Sequence, residues 1–390
     1  DAAAVRRILI SRPNGRLGNL LLMTPLLEEV THVFPNAQID LFVKGGIARE
    51  LFRNYPKIDR IIRLPNKPFS QLLRYAGAWL SLKSRRYDIV INVVHYSSSG
   101  RLSTKFATAR HKFFGDAADG ILSAYPDHSH VAKRVVYSLR NDLQQLGVGT
   151  DNLPVAPLNL RLTPFELSEG RETLAGLTDN RKKTICLFTY ATGNKRYSAS
   201  WWGAYYKRLQ AAFPDCNIVE VLPKENISQV GFSAPTFYST DLRRIGAFIA
   251  AADVFIGADS GIMHLASAVH TPTIGLFSVT NPQTFGPYSN GSAAIDHKGD
   301  ALTGRALAAH NNNRGACFAS MKVFKGARVA NPLAMRAMQD ADVDQSIDNL
   351  MEDLPYYSNM GHVTKTNFAN ALKQEYRNGL KTKNDDITTH

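Results

Sequence analysis

The sequence predicts an α/β protein built from two doubly wound parallel sheets. Its 390 residues are enough for two domains of roughly 150–200 residues each. Short apolar, strand-like runs alternate with helical patterns in both halves, which is typical of parallel sheets. Both halves also open in the same order, with a strand, a polar loop containing glycine and an apolar helix. Because ligands of such sheets bind at the carboxyl ends of strands, we expect a site in the cleft between two facing Rossmann-like halves.

In the first half, a strand is predicted over residues 7–10, followed by the loop SRPNGRLGN and an apolar helix over about 20–33. Further strands are predicted over 38–43 and 89–94. Residues 147–164 contain three prolines and several turn residues, which indicates an interdomain linker. We therefore expect domains over 1–165 and 166–350. A C-terminal helix with a polar tail is predicted over 351–390.

The second half begins with a predicted strand over 184–188, the loop TYATGNKRYSAS and a helix over about 201–213. Strands over 217–222 and 254–256 follow.

The stretch ADVFIGADSGIMHLASAVHTPTIGLF at 252–277 predicts a strand, a tight loop, a short helix over 262–269 and another strand. Asp259, Ser260 and Gly261 lie where the helix begins, and Ser260 is a candidate N-cap. Unpaired N–H groups and the helix dipole favour an anion at such a position, and glycine allows close approach of a ligand. A phosphate site and an ordinary capped βα turn are both consistent with this segment alone.

The net charge of +13 is concentrated in the first half. Residues 1–160 contain 22 Lys and Arg against 12 Asp and Glu, whereas the remainder contains 24 against 21. This excess predicts an anionic partner, although each basic side chain alone could be solvated surface. Nucleic acid is not favoured, because the basic residues are scattered and no aromatic-basic motif is present. The basic residues near predicted strand ends are Arg12, Arg16, Lys44, Arg101, Lys105, Arg110 and Lys112.

The sequence gives little indication of the cellular compartment. No apolar run reaches the ~18 residues of a membrane span, and no signal peptide precedes Arg6, although the chain begins with Asp1. Cys186, Cys216 and Cys317 are too widely spaced for a zinc cluster, which fits a reducing compartment.

The segment Asp259-Ser260-Gly261-Ile262-Met263-His264-Leu265-Ala266 resembles the D-[ST]-G-x-x-H-x-A signature of glycosyltransferase family 9. Thr271-Pro272-Thr273, Thr280-Asn281-Pro282 and Gly286-Pro287-Tyr288 resemble the runs that follow it in the family. The similarity extends from residue 8 to about residue 350. It implies a GT-B fold with two facing Rossmann-like domains, a first domain for the acceptor and a second for the nucleotide sugar.

The family includes the ADP-heptose:lipopolysaccharide heptosyltransferases. The resemblance therefore implies an inverting, metal-independent enzyme without a cofactor, which moves heptose or a similar sugar from an ADP-sugar to an anionic lipopolysaccharide core. It also implies a location in the cytoplasm or at the cytoplasmic face of the inner membrane, with peripheral membrane contact.

A departing nucleoside diphosphate requires stabilisation of negative charge, which cations and N–H dipoles can supply. The loop TYATGNKRYS resembles the family's P-G-A-S…K-R-W-P loop, whose lysine contacts donor phosphates. Lys195 and Arg196 match it, Tyr190 replaces the proline, and we count Thr192 and Gly193 among the binding residues. A Lys-Arg pair in a solvated loop is the plainer interpretation.

Three further acidic or imidazole features are less specific. His264 is either a ligand contact or a structural histidine one turn into the helix. Glu225 follows a predicted strand, where a carboxylate could bind ribose hydroxyls, but any surface glutamate would look the same. The acidic run at 340–344 superficially resembles a metal-binding D-x-D, and we interpret it as a solvated helix start.

In the first half, the segment SRPNGRLGNLLLMTPLL resembles the family's R-x-[ST]-x-L-G-D-x-[LV]-x-T-x-P loop. The residues that match are Arg12, Leu17, Gly18, Thr24 and Pro25. The family places an aspartate, its presumed general base, where this chain has Asn19. An amide cannot accept the proton of the acceptor hydroxyl at neutral pH. Asn19 therefore stands at the position of the general base but cannot act as one.

Two other functions stay open at this point. A catalytically silent sugar-nucleotide binder would explain Asn19. A nucleotide-sugar epimerase or hydrolase of the same fold would require acid–base carboxylates and no basic acceptor half.

Overall fold

The computed structural model describes residues 2–116, 125, 127–150, 153–289 and 292–296. The chain divides into two units, Asp1–Arg161 and Leu162–His390, and the division falls within the proline-containing stretch at 147–164. Cys317, the acidic run at 340–344 and the predicted C-terminal helix and tail at 351–390 lie outside the described residues.

Unit 1 contains a five-stranded parallel sheet with the strand order β3-β2-β1-β4-β5. Its strands are β1 (Arg7–Arg12), β2 (Gln38–Lys44), β3 (Ile58–Leu64), β4 (Tyr87–Asn92) and β5 (Ala109–Phe113). Its helices are α1 (Leu17–Leu21), α2 (Thr24–Val33), α3 (Ala48–Leu51), α4 (Leu72–Leu80), α5 (Ser98–Phe106) and α6 (Val131–Gln145). The parallel doubly wound sheet predicted for this half is confirmed.

The single helix predicted over 20–33 is wrong, because the structure has two helices, α1 and α2, at this place. Pro25 has no N–H to donate to the carbonyl of Leu21, so one continuous helix cannot be completed here. The Thr24 hydroxyl donates to that carbonyl instead, at 2.7 Å. The short helix α1 consequently follows β1 on its own and contains Gly18 and Asn19.

Unit 2 contains a six-stranded parallel sheet with the order β11-β10-β9-β6-β7-β8. Its strands are β6 (Lys183–Phe188), β7 (Cys216–Val221), β8 (Thr236–Phe237), β9 (Val254–Ala258), β10 (Thr273–Phe277) and β11 (Ala293–Asp296). Its helices are α7 (Pro164–Ala175), α8 (Ala199–Ala212), α9 (Leu242–Ala250), α10 (Gly261–Ala268) and α11 (Pro282–Phe285).

Both faces of this second sheet are covered by buried side chains. On one face, Trp202 and Tyr205 of α8 pack in the same apolar cluster as Ile256 and Leu276 of the central strands. The strand order places β6, β9 and β10 side by side. Their carboxyl ends, and the loops that follow them, therefore lie at one edge of the sheet.

Within the described residues, no helix is both long enough and apolar enough to span a membrane.

Candidate functional site

Three loops of unit 2 meet through one carboxylate, that of Asp259. Asp259 follows β9 and is almost completely buried. Its Oδ2 lies 2.6 Å from the Nζ of Lys195, which belongs to the loop after β6. The same oxygen accepts a hydrogen bond from the hydroxyl of Thr280, in the loop after β10. The structure therefore brings Lys195 and Asp259 together. It adds Thr280, which belongs to the Thr280-Asn281-Pro282 motif and was not among the predicted site residues.

The pair lies at the N-terminus of α10. Ser260 is the N-cap of this helix, and its Oγ accepts from the N–H of Met263 at 3.3 Å, which confirms the predicted cap. The described residues supply no acceptor for the N–H groups of Gly261 and Ile262. With the helix dipole, these donors make the position favourable for an anion, and the ammonium of Lys195 lies beside them.

The loop that carries Lys195 is shaped by two local features. Gly193 has a φ of +62°, a conformation that glycine adopts at little cost, and it begins the single 3-10 turn that ends at Lys195. Arg196 donates to the carbonyl of Ala191 at 3.1 Å and stacks on the ring of Tyr190 at 4.3 Å. Thr192 immediately precedes the turn. Tyr190, which replaces the proline of the family pattern, thus holds Arg196 within its own loop.

His264 lies one turn into α10 and is buried, and its Nδ1 has no hydrogen-bond partner among the described residues. Burial lowers the pKa of His264 to about 4, against an opposing effect of the Asp259 carboxylate and with a further lowering by the Lys195 ammonium. The imidazole is therefore neutral at neutral pH. A buried polar atom without a partner is unusual in a purely structural side chain, which favours the interpretation of His264 as a ligand contact.

We expect the stability of unit 2 to fall at acid pH because of His264. Its folded-state pKa lies below the ordinary value, so the stability due to the neutral ring is complete above pH 6.5 and is lost as the pH falls toward 4. Between pH 8 and pH 5, protonation linked to His264 lowers the free energy of unfolding by about 2 kcal/mol. Denaturant unfolding of wild type and H264Q at both pH values measures it, with H111Q in unit 1 as the control. An equal pH-dependent loss in wild type and H264Q would contradict the assignment.

A buried carboxylate that the sequence analysis missed, Glu220, connects two of the loops at this sheet edge. It lies near the end of β7 and accepts from the hydroxyls of Thr189 and Ser228, both at 2.5 Å. Burial raises its pKa, and these two hydrogen bonds oppose that effect. Thr189 begins the loop that leads to Lys195, so Glu220 fixes the start of that loop. The signal in the sequence is a charged residue inside the buried strand CNIVEV.

Glu225, the predicted ribose contact, lies in the loop after β7 and is exposed, and no contact in the described residues joins it to Lys195 or Asp259. Its role stays a prediction.

In unit 1, Arg12 ends β1 and is almost completely buried, and its Nε has no hydrogen-bond partner among the described residues. Burial lowers the pKa of Arg12 to about 10, so the guanidinium stays charged at neutral pH. Such a buried donor is costly unless an acceptor reaches it, and an anionic ligand would provide one. Gly18 and Asn19 are half-buried and lie in the first turns of α1, which begins five residues after Arg12.

Of the basic residues on α5, Arg101 is not free for a ligand in this structure. It pairs with Asp116 at 2.6 Å and donates to the carbonyl of His95 at 3.2 Å. Lys105, one turn further along, is exposed. Asp142 of α6 is half-buried, and burial together with the Asp116 carboxylate raises its pKa to about 6. Unit 1 therefore has a carboxyl group with a raised pKa, Asp142, which was not among the predicted site residues.

Comparisons with known proteins point to one family. The family model "Glycosyltransferase family 9 (heptosyltransferase)" matches residues 77–301. The chain is 25% identical over 290 residues to lipopolysaccharide heptosyltransferase 3 of Escherichia coli, covering 70% of this chain and 84% of that protein. It is also 25% identical over 297 residues to lipooligosaccharide heptosyltransferase 2 of Campylobacter jejuni, covering 75% and 86%.

Solved structures resemble the fold. A glycosyl transferase family 9 protein from Veillonella parvula has a TM-score of 0.58 at 19% identity, covering 77% of this chain and 89% of that chain. The E. coli heptosyltransferase WaaC with ADP has a TM-score of 0.56 at 18% identity, covering 74% and 93%. The solved structures show that the chain has the GT-B fold. Since the family model matches more than half of this chain, the chain belongs to glycosyltransferase family 9 and is a glycosyltransferase.

Proposed function

We propose that this protein transfers a heptose, or a similar sugar, from an ADP-sugar to an anionic lipopolysaccharide-core acceptor, with inversion and without a metal ion. The observation that carries this proposal is the Lys195–Asp259 pair at the N-terminus of α10. The names of the relatives support the sugar and the acceptor, since both curated relatives described above are heptosyltransferases of lipopolysaccharide or lipooligosaccharide.

In this proposal, unit 2 holds the donor. The ammonium of Lys195 and the N–H groups of Gly261 and Ile262 face the diphosphate, where negative charge increases as the sugar leaves. Asp259 keeps Lys195 at this position through its 2.6 Å contact. Ser260 shapes the start of the helix, and the neutral ring of His264 supplies a hydrogen-bonding nitrogen one turn later. The loop residues Thr192, Gly193 and Arg196 complete the donor side.

The reaction is a single displacement. The acceptor hydroxyl oxygen forms a bond to the anomeric carbon, the bond from that carbon to the diphosphate oxygen breaks with its electron pair, and ADP departs. The hydroxyl proton must pass to a base. Position 19 is the expected place of that base, and because Asn19 cannot accept a proton there, the proton passes to water. We therefore propose slow transfer by this chain.

Unit 1 is the proposed acceptor unit, in the cytoplasm or at the cytoplasmic face of the membrane. Its excess of basic residues suits the carboxylates and phosphates of a lipopolysaccharide core. The buried Nε of Arg12, which has no hydrogen-bond partner among the described residues, is a candidate anion contact.

A second candidate function is a sugar-nucleotide binder without catalytic activity. The observation that favours it is Asn19 itself, because an amide preserves the shape of the base position and removes its proton acceptance.

If unit 1 binds the acceptor, reversing its basic charges should weaken acceptor binding and leave ADP binding nearly unchanged. In K105E/R110E, two exposed unit 1 cations are reversed, and we expect the acceptor KM to rise about 5- to 30-fold at two contacts of roughly 0.5–1 kcal/mol each. The acceptor KM of wild type should also rise with salt, while ADP affinity changes less. Arg101 is left intact, because a glutamate there would repel Asp116.

The matched control is K207E, which reverses an exposed lysine on α8 of unit 2. If salt and K105E/R110E changed the acceptor KM and the ADP dissociation constant equally, the separate roles of the two units would be contradicted.

A further inference from the structure

A cavity of about 660 Å³ in unit 1 lies between the outer strand β3 and the helix α4 that follows it. Among the described strands, β3 pairs with β2 alone, so its other edge has no strand beside it. Residues 60–65 all line the cavity. Because successive side chains of a strand point to opposite faces, such a continuous run places the cavity along the open edge of β3. One face of α4 and its two end residues forms the other wall, with lining residues three or four apart: Gln71, Arg74, Ala78 and Ser81.

The charged residues that line this cavity are all arginines. Arg49, Arg63 and Arg74 line it, and none of the three pairs with an acidic side chain in the described part of the chain. Arg60, the fourth arginine, is neutralised by Asp40 at 3.0 Å. Three guanidinium groups without a carboxylate among the lining residues create a positive potential, which favours an anionic ligand.

The three unpaired arginines are concentrated at one end of the cavity. Arg60 donates to the carbonyl of Ser81 at 3.2 Å, so the end of α4 lies beside the first half of β3. The start of α4, with Arg74 in its first turn, therefore lies beside the carboxyl end of β3, where Arg63 is. Arg49 belongs to α3, which follows the carboxyl end of the neighbouring parallel strand β2. The other end of the cavity is closed by the neutralised Arg60.

The backbone beside the arginines leaves room for a ligand. Gly45 and Gly46 line the cavity directly after β2. Gly45 has a φ of +78°, and a Cβ there would lie 3.1 Å from the Oδ1 of Asn66, so a larger residue would be strained and crowded. The side-chain amide of Asn66, which also lines the cavity, adds a neutral hydrogen-bond donor at this end.

We infer that this cavity binds a small phosphorylated ligand, with its phosphate group at the arginine end and an uncharged body toward Ser81. The planar fork of a guanidinium matches the oxygens of a phosphate. The cavity volume lies in the range of sites for small molecules. A sugar phosphate has this distribution of charge. The inference goes beyond the proposed sugar transfer and does not depend on it.

The place of the cavity in the sheet separates it from the expected position of the reacting acceptor hydroxyl. Position 19 lies in α1, which follows the central strand β1. Since β2 lies between β1 and β3, β3 is about 10 Å from β1. The cavity also extends down the side of β3 to Arg60, away from the carboxyl ends of the strands. Its ligand is therefore a molecule separate from the acceptor.

The test is calorimetric titration of the full-length chain with glucose 6-phosphate and with glucose, with and without saturating ADP. ADP occupies the proposed donor site, so binding that persists in its presence reports on another site. We expect one glucose 6-phosphate per chain under both conditions, and no binding of glucose. R49Q/R63Q should weaken the binding of glucose 6-phosphate at least about 10-fold, since it removes two charged donors to the phosphate.

The matched control is R7Q/R86Q, which removes two exposed arginines of unit 1 that do not line the cavity. It should bind glucose 6-phosphate as the wild type does, and circular dichroism shows whether each variant is folded. The inference would be overturned if the wild type did not bind glucose 6-phosphate, if R49Q/R63Q bound it unchanged, or if R7Q/R86Q lost as much affinity. Displacement of glucose 6-phosphate by the lipopolysaccharide-core acceptor would also overturn it, because the arginines would then belong to the acceptor site.

Discussion

Replacing Asn19 with Asp is expected to raise the turnover of sugar transfer by about 10²–10⁴-fold, the usual contribution of a general base. Asparagine and aspartate have nearly the same shape, so the substitution changes proton acceptance at α1 and little else. Nucleotide affinity should change only slightly. The rate of N19D should also rise with pH as the new carboxyl group deprotonates, which the wild type should not show.

The matched control is N14D in the loop that precedes α1. Asn14 accepts a hydrogen bond from the N–H of Arg16 at 2.9 Å, and aspartate can keep that bond while it adds the same charge. Initial rates with saturating donor and acceptor, measured from pH 5 to pH 9, separate the two variants. An increase in N14D equal to that in N19D would indicate a general effect of charge.

Brisk transfer by the wild type, with N19D unchanged or slower, would defeat the assignment of position 19. The base would then be sought elsewhere in unit 1, among His95, His111 and Asp116. Asp142 joins them, because its raised pKa of about 6 suits proton transfer near neutrality.

Replacing Lys195 with Ala is expected to weaken ADP binding about 10- to 150-fold. This corresponds to about 1.5–3 kcal/mol, the scale of a charge-assisted hydrogen bond. Lys195 lies close to the start of α10, because its Nζ is 2.6 Å from the carboxylate of Asp259, the residue before the N-cap Ser260. K207A removes an exposed lysine of α8 and serves as the control. An unchanged dissociation constant in K195A would remove Lys195 from the site.

A second variant separates the contribution of Lys195 from that of the Asp259 carboxylate beside it. K195A leaves the Asp259 carboxylate without its cation, and that charge would repel a diphosphate. In K195A/D259N the repulsion is absent, so ADP should bind more tightly than to K195A but still more weakly than to wild type. Full recovery in the double variant would mean that Lys195 acts only by neutralising Asp259.

The pattern of elements was predictable from the sequence because it depends on local periodicity. The strand, cap and helix around Ser260 were predicted, and the structure confirms the cap. The break between α1 and α2 was missed, although Pro25 signals it, because the apolar spacing continues across the break.

The contacts that assemble the site were less predictable. Lys195, Asp259 and Thr280 come from three loops, and their meeting depends on the strand order β10-β9-β6, which sequence spacing does not contain. Glu220 was overlooked because its partners Thr189 and Ser228 are 31 and 8 residues away.

The most direct test of the central claim, that unit 2 binds an ADP-sugar through Lys195 and α10, is calorimetric titration of the wild type with a panel of nucleotides. ADP, UDP, GDP and their sugar derivatives would be compared with and without a chelator. We expect ADP and ADP-heptose to bind most tightly, with the same dissociation constants when the chelator is present. Preference for a uridine or guanosine diphosphate, or loss of ADP binding on chelation, would contradict the account.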